Sequence, residues 1–134
     1  VRYAQLGLLD EGAPGGLALD FDEATRQTLL SAKLAYIQRS RGYSMRPPLS
    51  IAQIERLIAA ARAVNPALLV LVDNCYGEFI EDREPTAVGA DLIAGSLIKN
   101  PGGGIVPTGG YVAGRADWVE RAACVLTCPG VGSH

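Results

Sequence analysis

Lys99 and Asp73 are the residues of this 134-residue sequence whose types and settings point most directly to chemistry. The chain holds only two lysines, Lys33 and Lys99, against ten arginines, so candidate amine nucleophiles are few. Lys33 reads as the start of a strand, the wrong end for a site. Lys99 stands in Ser96-Leu-Ile-Lys-Asn-Pro-Gly-Gly-Gly104, just past a predicted strand. A lysine is usually a solvated surface charge, but the apolar flank and glycine-rich turn argue against that here. Partial desolvation would lower its pKa and free the amine to attack, and the glycines would let backbone approach a ligand closely. Asp73 ends the apolar run Ala67 to Val72, where an unpaired carboxylate is costly. It could be a turn or helix-cap aspartate. The Asn74-Cys-Tyr-Gly-Glu78 that follows is too aromatic for a simple turn, whereas a cationic ring nitrogen facing the carboxylate would resolve the cost.

An amine and a carboxylate so placed suit pyridoxal 5'-phosphate (PLP), whose protonated ring is the sink for substrate carbanion electrons. Ser96, three residues before the lysine, could bond a phosphate oxygen or simply cap its own strand end. The glycine run is not a nucleotide-binding P-loop, since no Gly-Lys-Ser/Thr occurs. Tyr76 could stack or relay a proton, or be an ordinary buried tyrosine; Glu78 carries less. Arg39 and Arg41, followed by Gly42-Tyr43, could clamp a substrate carboxylate or phosphate bidentately, or be solvated charges.

The composition is that of a globular domain: 49% hydrophobic, 19% charged, net charge −2. No basic footprint suggests nucleic acid or an anionic membrane surface. No apolar run reaches the roughly 18 residues of a membrane span. Three cysteines, Cys75, Cys124 and Cys128, form no regular framework and fit buried thiols in a reducing, cytoplasmic compartment. Cys124 and Cys128 share a helical face, but His134 is the only histidine, so a zinc site lacks ligands. No signal peptide precedes the first strand, and a start at Val1 reads as a piece of something longer.

These residues must be positioned by alternating strands and helices. Arg2 to Leu9 reads as a strand. Asp20 and Glu23 have capping-box spacing for a helix to Ser31, and Lys33 to Gln38 as a strand follows. Ser50 and Gln53 form a second capping box, opening a helix of Ile51, Ile54, Leu57, Ile58, Ala61 and Val64 that stops at Asn65-Pro66. Ala67 to Val72 reads as a strand buried on both faces of a parallel sheet. Asp91 to Gly95 and Gly110 to Gly114 are further strands, and Ala116 to Thr127 an amphipathic helix. The class is α/β. In such sheets ligands bind beyond the carboxyl ends of strands, where Gln38 to Tyr43, Asp73 to Glu78 and Gly95 to Asn100 should converge.

The stretches Val72-Asp-Asn74, Gly89-Ala-Asp-Leu-Ile93 and Gly95-Ser-Leu-Ile-Lys99 resemble the cystathionine/methionine-metabolism group of PLP enzymes of fold type I. Asp73 to Phe79, Gly95 to Gly104 and Gln38 to Tyr43 look more closely like the methionine γ-lyase-like branch associated with aluminium resistance. The resemblance covers nearly the whole chain. It implies a Schiff base (internal aldimine) at Lys99, Asp73 on the pyridine nitrogen and Ser96 on the phosphate. The group often has a hydroxyl residue just before the lysine, and here that place is Ile98. One phosphate contact then falls to Asn100, Thr108 or loop amides. The implied fold is part of the large, mostly parallel-sheet, three-layer domain, with residues 1–134 lacking its N-terminal part and the C-terminal small domain. The implied reaction is carbon–sulfur lysis of a sulfur amino acid by a homodimer or homotetramer. Alternatives are an aminotransferase, another α-carbon eliminase, or a non-catalytic α/β module. A dinucleotide domain is disfavoured, as no G-x-G-x-x-G opens a helix after a strand.

Overall fold

A computed structural model describes residues 3–10 and 12–126. Its elements are α1 (Glu23–Ser31), β1 (Leu34–Gln38), α2 (Ile51–Val64), β2 (Leu69–Asp73), β3 (Leu92–Ser96), β4 (Gly110–Gly114) and α3 (Ala116–Leu126). The strands form one sheet in the order β1-β2-β3-β4. The first three are parallel, and β4 runs antiparallel to β3. The reversal has a simple cause. A parallel return needs a crossover long enough to carry the chain back along the sheet. Residues 97–109 contain only turns, so the chain comes back beside β3 in the opposite sense.

Sequence and structure agree best where local chemistry is strong. In α2 the Ser50 side chain accepts from the Gln53 backbone N–H, and the Gln53 side chain answers on the Ser50 N–H. Its Ile51, Ile54 and Ile58 are buried and pack on Val70, Val72 and Ile93 of the sheet. Complete burial of Ile54 and Val72 contributes roughly 1.5–3 kcal/mol each.

Three expectations are corrected. Arg2 to Leu9 is not a strand: Tyr3 to Leu8 is irregular, a single antiparallel bridge joins Leu9 to Leu17, and Arg2 lies outside the described residues. α1 is capped by Asp22, whose carboxylate accepts from the Thr25 N–H at 2.8 Å, rather than by Asp20. Two aspartates compete there, and Asp22 is the one immediately before the first helical residue. Thirdly, β2 is buried on one face only. Val70 and Val72 point into the α2 core, while Leu69 and Leu71 are half-buried on the other side. That second face carries Leu34 and Tyr36, 50% and 57% exposed. Among the described residues no helix covers it. Thr127 and Cys128 lie outside the described residues, and α3 is described to Leu126. Cys75 and Cys124 are free thiols, half-buried rather than fully enclosed. No described helix is long and apolar enough to cross a membrane.

Candidate functional site

The carboxyl ends of β1, β2 and β3 meet at one edge of the sheet. The Arg39 N–H donates to the Asp73 carbonyl and the Asn74 N–H to the Ala94 carbonyl, so the three polar clusters are stitched together by backbone. Asp73 closes β2 with its side chain on the less covered face. Its Oδ1 accepts from the Cys75 backbone N–H at 3.0 Å, and its Oδ2 from the Tyr36 phenol at 2.9 Å. Burial pushes its pKa up, but the bonds from Cys75 and Tyr36 and the charge of Lys99 outweigh it, leaving the carboxyl below its ordinary value. The carboxylate is therefore ionised at neutral pH.

Lys99 enters from the loop after β3. Its ammonium lies over the Tyr76 ring, 4.3 Å from the centroid, a cation–π contact. Tyr76 occupies the left-handed backbone region, with φ of 66°. Non-glycine residues adopt that region rarely and at a cost. The sequence suggested an amine with a lowered pKa, and the structure gives the opposite direction. A hydrogen bond with the Cys75 side chain raises the pKa most, burial opposes it, and the charges of Cys75, Tyr76 and Asp73 raise it further. The Cys75 hydrogen bond and the neighbouring charges together outweigh desolvation at this half-buried position. The glycines after Lys99 serve the loop itself. A Cβ on Gly102 would meet Val106 Cγ2 at 2.5 Å and the Leu97 carbonyl at 2.7 Å.

Behind this pair lies a buried polar network. Arg39 is 3% exposed. Its guanidinium donates to the Leu49 and Gly77 carbonyls, Asn74 Oδ1 and Glu81 Oε1. Glu81 Oε1 also accepts from the first N–H of α2, so Arg39 ties the 74–84 loop to that helix. Fully buried Asn74 bridges Arg39 to Glu84 and reaches the Tyr111 phenol. Tyr111 donates to Glu78 Oε1 at 2.9 Å; Glu78 is 4% exposed, and its Oε2 is buried without a partner. Asn100 donates to the Glu78 carbonyl at 3.0 Å, joining the lysine loop to the loop after β2.

The edge therefore brings together Asp73, Tyr76, Ser96, Lys99 and Asn100. Ser96 is half-buried at the end of β3, opposite Gly110. Arg39 lies beneath them inside the protein, and Arg41 stands exposed in the following turn. Chemically, the arrangement offers a cation and a carboxylate on neighbouring strand ends, with an aromatic ring beside the amine. Sequence reasoning passed over Tyr36, Asn74, Glu84 and Tyr111. The signal for Tyr36 was its parity with Gln38 on the strand, but which residue it would face depended on a register the sequence does not state. Among the described residues no cluster of histidine, cysteine or carboxylate residues could hold a metal ion.

Comparison with known proteins places this geometry in a family. The methionine gamma-lyase family model matches residues 1–134. The chain is 49% identical over 114 residues to the uncharacterized protein YnbB of Bacillus subtilis (strain 168), covering 85% of this chain and 27% of that protein. A crystal structure from Listeria monocytogenes, of a candidate cystathionine beta-lyase involved in aluminum resistance, superposes with a TM-score of 0.82 at 44% identity. That match covers 96% of this chain and 31% of the other. A carbon-sulfur lyase involved in aluminum resistance from Clostridium novyi NT gives a TM-score of 0.78 at 44% identity, covering 93% and 29%. The chain thus spans less than a third of the length of each of these three proteins. With its full length matched by the family model, the chain belongs to the methionine gamma-lyase family.

Proposed function

We propose that this chain is the cofactor-anchoring part of a PLP-dependent carbon–sulfur lyase of fold type I. It acts on a sulfur amino acid and works as a homodimer or homotetramer in the cytoplasm. The observation that carries the reading is the meeting of Lys99 and Asp73 at one sheet edge, with the Lys99 ammonium on the Tyr76 ring. Membership of the family and the names of its solved relatives supply the reaction class. The donor set fits the cofactor. Lys99 offers an amine for the aldehyde, Asp73 an ionised carboxylate for the ring nitrogen, and Ser96 and Asn100 polar groups for the phosphate. When bound, PLP supplies an electron sink that stabilises negative charge at the substrate α carbon.

The chain's own residues would do the rest. Asp73, fixed by two donors, holds the ring nitrogen protonated. Lys99 would be placed to take the proton from the substrate α carbon, and the Tyr76 ring would steady the ammonium that results. Arg41, exposed at the site edge, is available to a substrate carboxylate, while Arg39 holds the loop that carries Tyr76.

The test is spectroscopic and chemical. The intact protein with PLP should show a visible absorption band that borohydride bleaches, and Lys99→Ala should lose it. A band that stays reducible in Lys99→Ala would refute the role of Lys99. With cystathionine, methionine or cysteine as substrate, thiol release is expected; keto acid without thiol would instead indicate transamination.

A further inference from the structure

The chemistry just described gives Tyr36 no part, yet its phenol donates to Asp73 Oδ2 at 2.9 Å. The sheet register explains the meeting. Tyr36 lies opposite Leu71 and Gln38 opposite Asp73. Tyr36 and Asp73 are therefore diagonal neighbours on one sheet face, within reach for a long side chain. Asp73 Oδ1 is held from the other side by the Cys75 backbone N–H at 3.0 Å. The two donors address different oxygens and so fix the plane of the carboxylate. An ionised carboxyl has about four acceptor directions, which leaves room for a third donor.

We propose that Tyr36 is a positioning residue for the cofactor: its phenol orients Asp73 and weakens it as a base, so that the proton shared with the pyridine nitrogen stays on the ring. The inference rests on the reading of Asp73 as the partner of that nitrogen. A hydrogen bond to the charged form of an acid favours that form. With Tyr36 in place, Asp73 competes poorly for the ring proton. Without it, the proton moves toward Asp73 and the ring loses electron-withdrawing power. The phenol is itself perturbed as this contact requires. Burial, then its bond to Asp73, then the charges of Asp73 and Cys75 push its pKa up to about 12.

The test compares the intact protein with its Tyr36→Phe variant, both loaded with PLP labelled with 15N at the ring nitrogen. In the variant the 15N resonance should move from the protonated toward the neutral pyridine position. The dissociation constant for PLP should rise roughly three- to tenfold, the worth of one hydrogen bond. The turnover number should fall while KM stays near that of the parent, and the far-ultraviolet circular dichroism should not change. Asp73→Asn serves as the control that must move the resonance further. An unmoved resonance in Tyr36→Phe with a dissociation constant changed less than about twofold overturns the role of Tyr36 alone. No uptake of PLP by the parent, or no shift in Asp73→Asn, overturns the cofactor reading and the inference with it. A cofactor-free measurement checks the contact separately. The phenol that ionises near 12 in the parent should vanish in Tyr36→Phe and ionise lower in Asp73→Asn; failure of that response removes the contact on which the inference depends.

Discussion

Asp73 accepts two hydrogen bonds at the mouth of the sheet, and its carboxyl titrates below the ordinary aspartate value. A depressed folded-state pKa means that the folded protein holds its proton less tightly than the unfolded chain. The associated stability is present above the unfolded value of about 3.9 and is lost as pH falls through the lower folded value. Urea midpoints measured from about pH 6 down to about pH 2.5 should therefore converge for the parent and Asp73→Asn as acid is added, with the parent more stable at the upper end. A constant gap across that range would show that Asp73 does not titrate with folding. Tyr111 and Glu78 make a deeper pair. Tyr111→Phe would remove the donor to Glu78 Oε1 and leave both oxygens of that buried carboxyl without a partner. The expected loss is about 1–3 kcal/mol in urea unfolding, the cost of an unsatisfied buried polar group.

At the scale of elements, the loop between β2 and the 3-10 turn Pro85–Val88 is folded around Arg39 rather than around an apolar centre. Replacing that guanidinium by the point charge of Arg39→Lys cannot reproduce its several directed bonds. The variant should lose about 1–3 kcal/mol of stability, the cost of leaving buried hydrogen-bonding groups without their donor. Unchanged urea midpoints would mean the loop is held by other contacts. Gly95 marks a close crossing of loop and sheet, since a Cβ there would meet Glu78 Oε1 and the Tyr111 ring at 2.5 Å. Gly95→Ala should cost about 1–3 kcal/mol by overpacking, measurable as a lower thermal midpoint. These elements were largely legible in the sequence: the capping box of α2, its isoleucine stripe and the apolar β2 are local signals. The antiparallel β4 was not, because strand direction follows from the path of 97–109 in space.

For the molecule as a whole, one core among the described residues, of Leu17, Leu49, Ile51, Ile54, Ile58, Val70, Val72, Val88, Ala90 and Ile93, links α2 to one face of the sheet. Ile54 is completely buried at its centre. Ile54→Ala should lower stability by about 2–5 kcal/mol, transfer and cavity costs together, and should weaken strand ends and helix in one cooperative transition. Separate transitions by near- and far-ultraviolet circular dichroism would count against one core. Asp91 ties this core to the far end of the sheet: buried, it takes Arg62 at 2.6 Å, Arg115 at 3.2 Å and the Val70 N–H at 2.8 Å.

What the sequence determined by itself was the α/β class, helix α2 with its cap, the four strands that form the sheet, and the scarcity that singled out Lys99. Each of these is local: periodicity, capping spacing and composition act over a few residues and need no knowledge of neighbours. The tertiary structure alone decided that Tyr36 meets Asp73, that Arg39 turns inward, that Glu78 is enclosed and that the Cys75 side chain, with the charges around it, raises the Lys99 pKa. Those outcomes depend on strand register and loop path, which bring residues up to dozens of positions apart into contact. Hydrogen bonds and charges act over the distances so created, and nothing in the spacing of the residues along the chain records them.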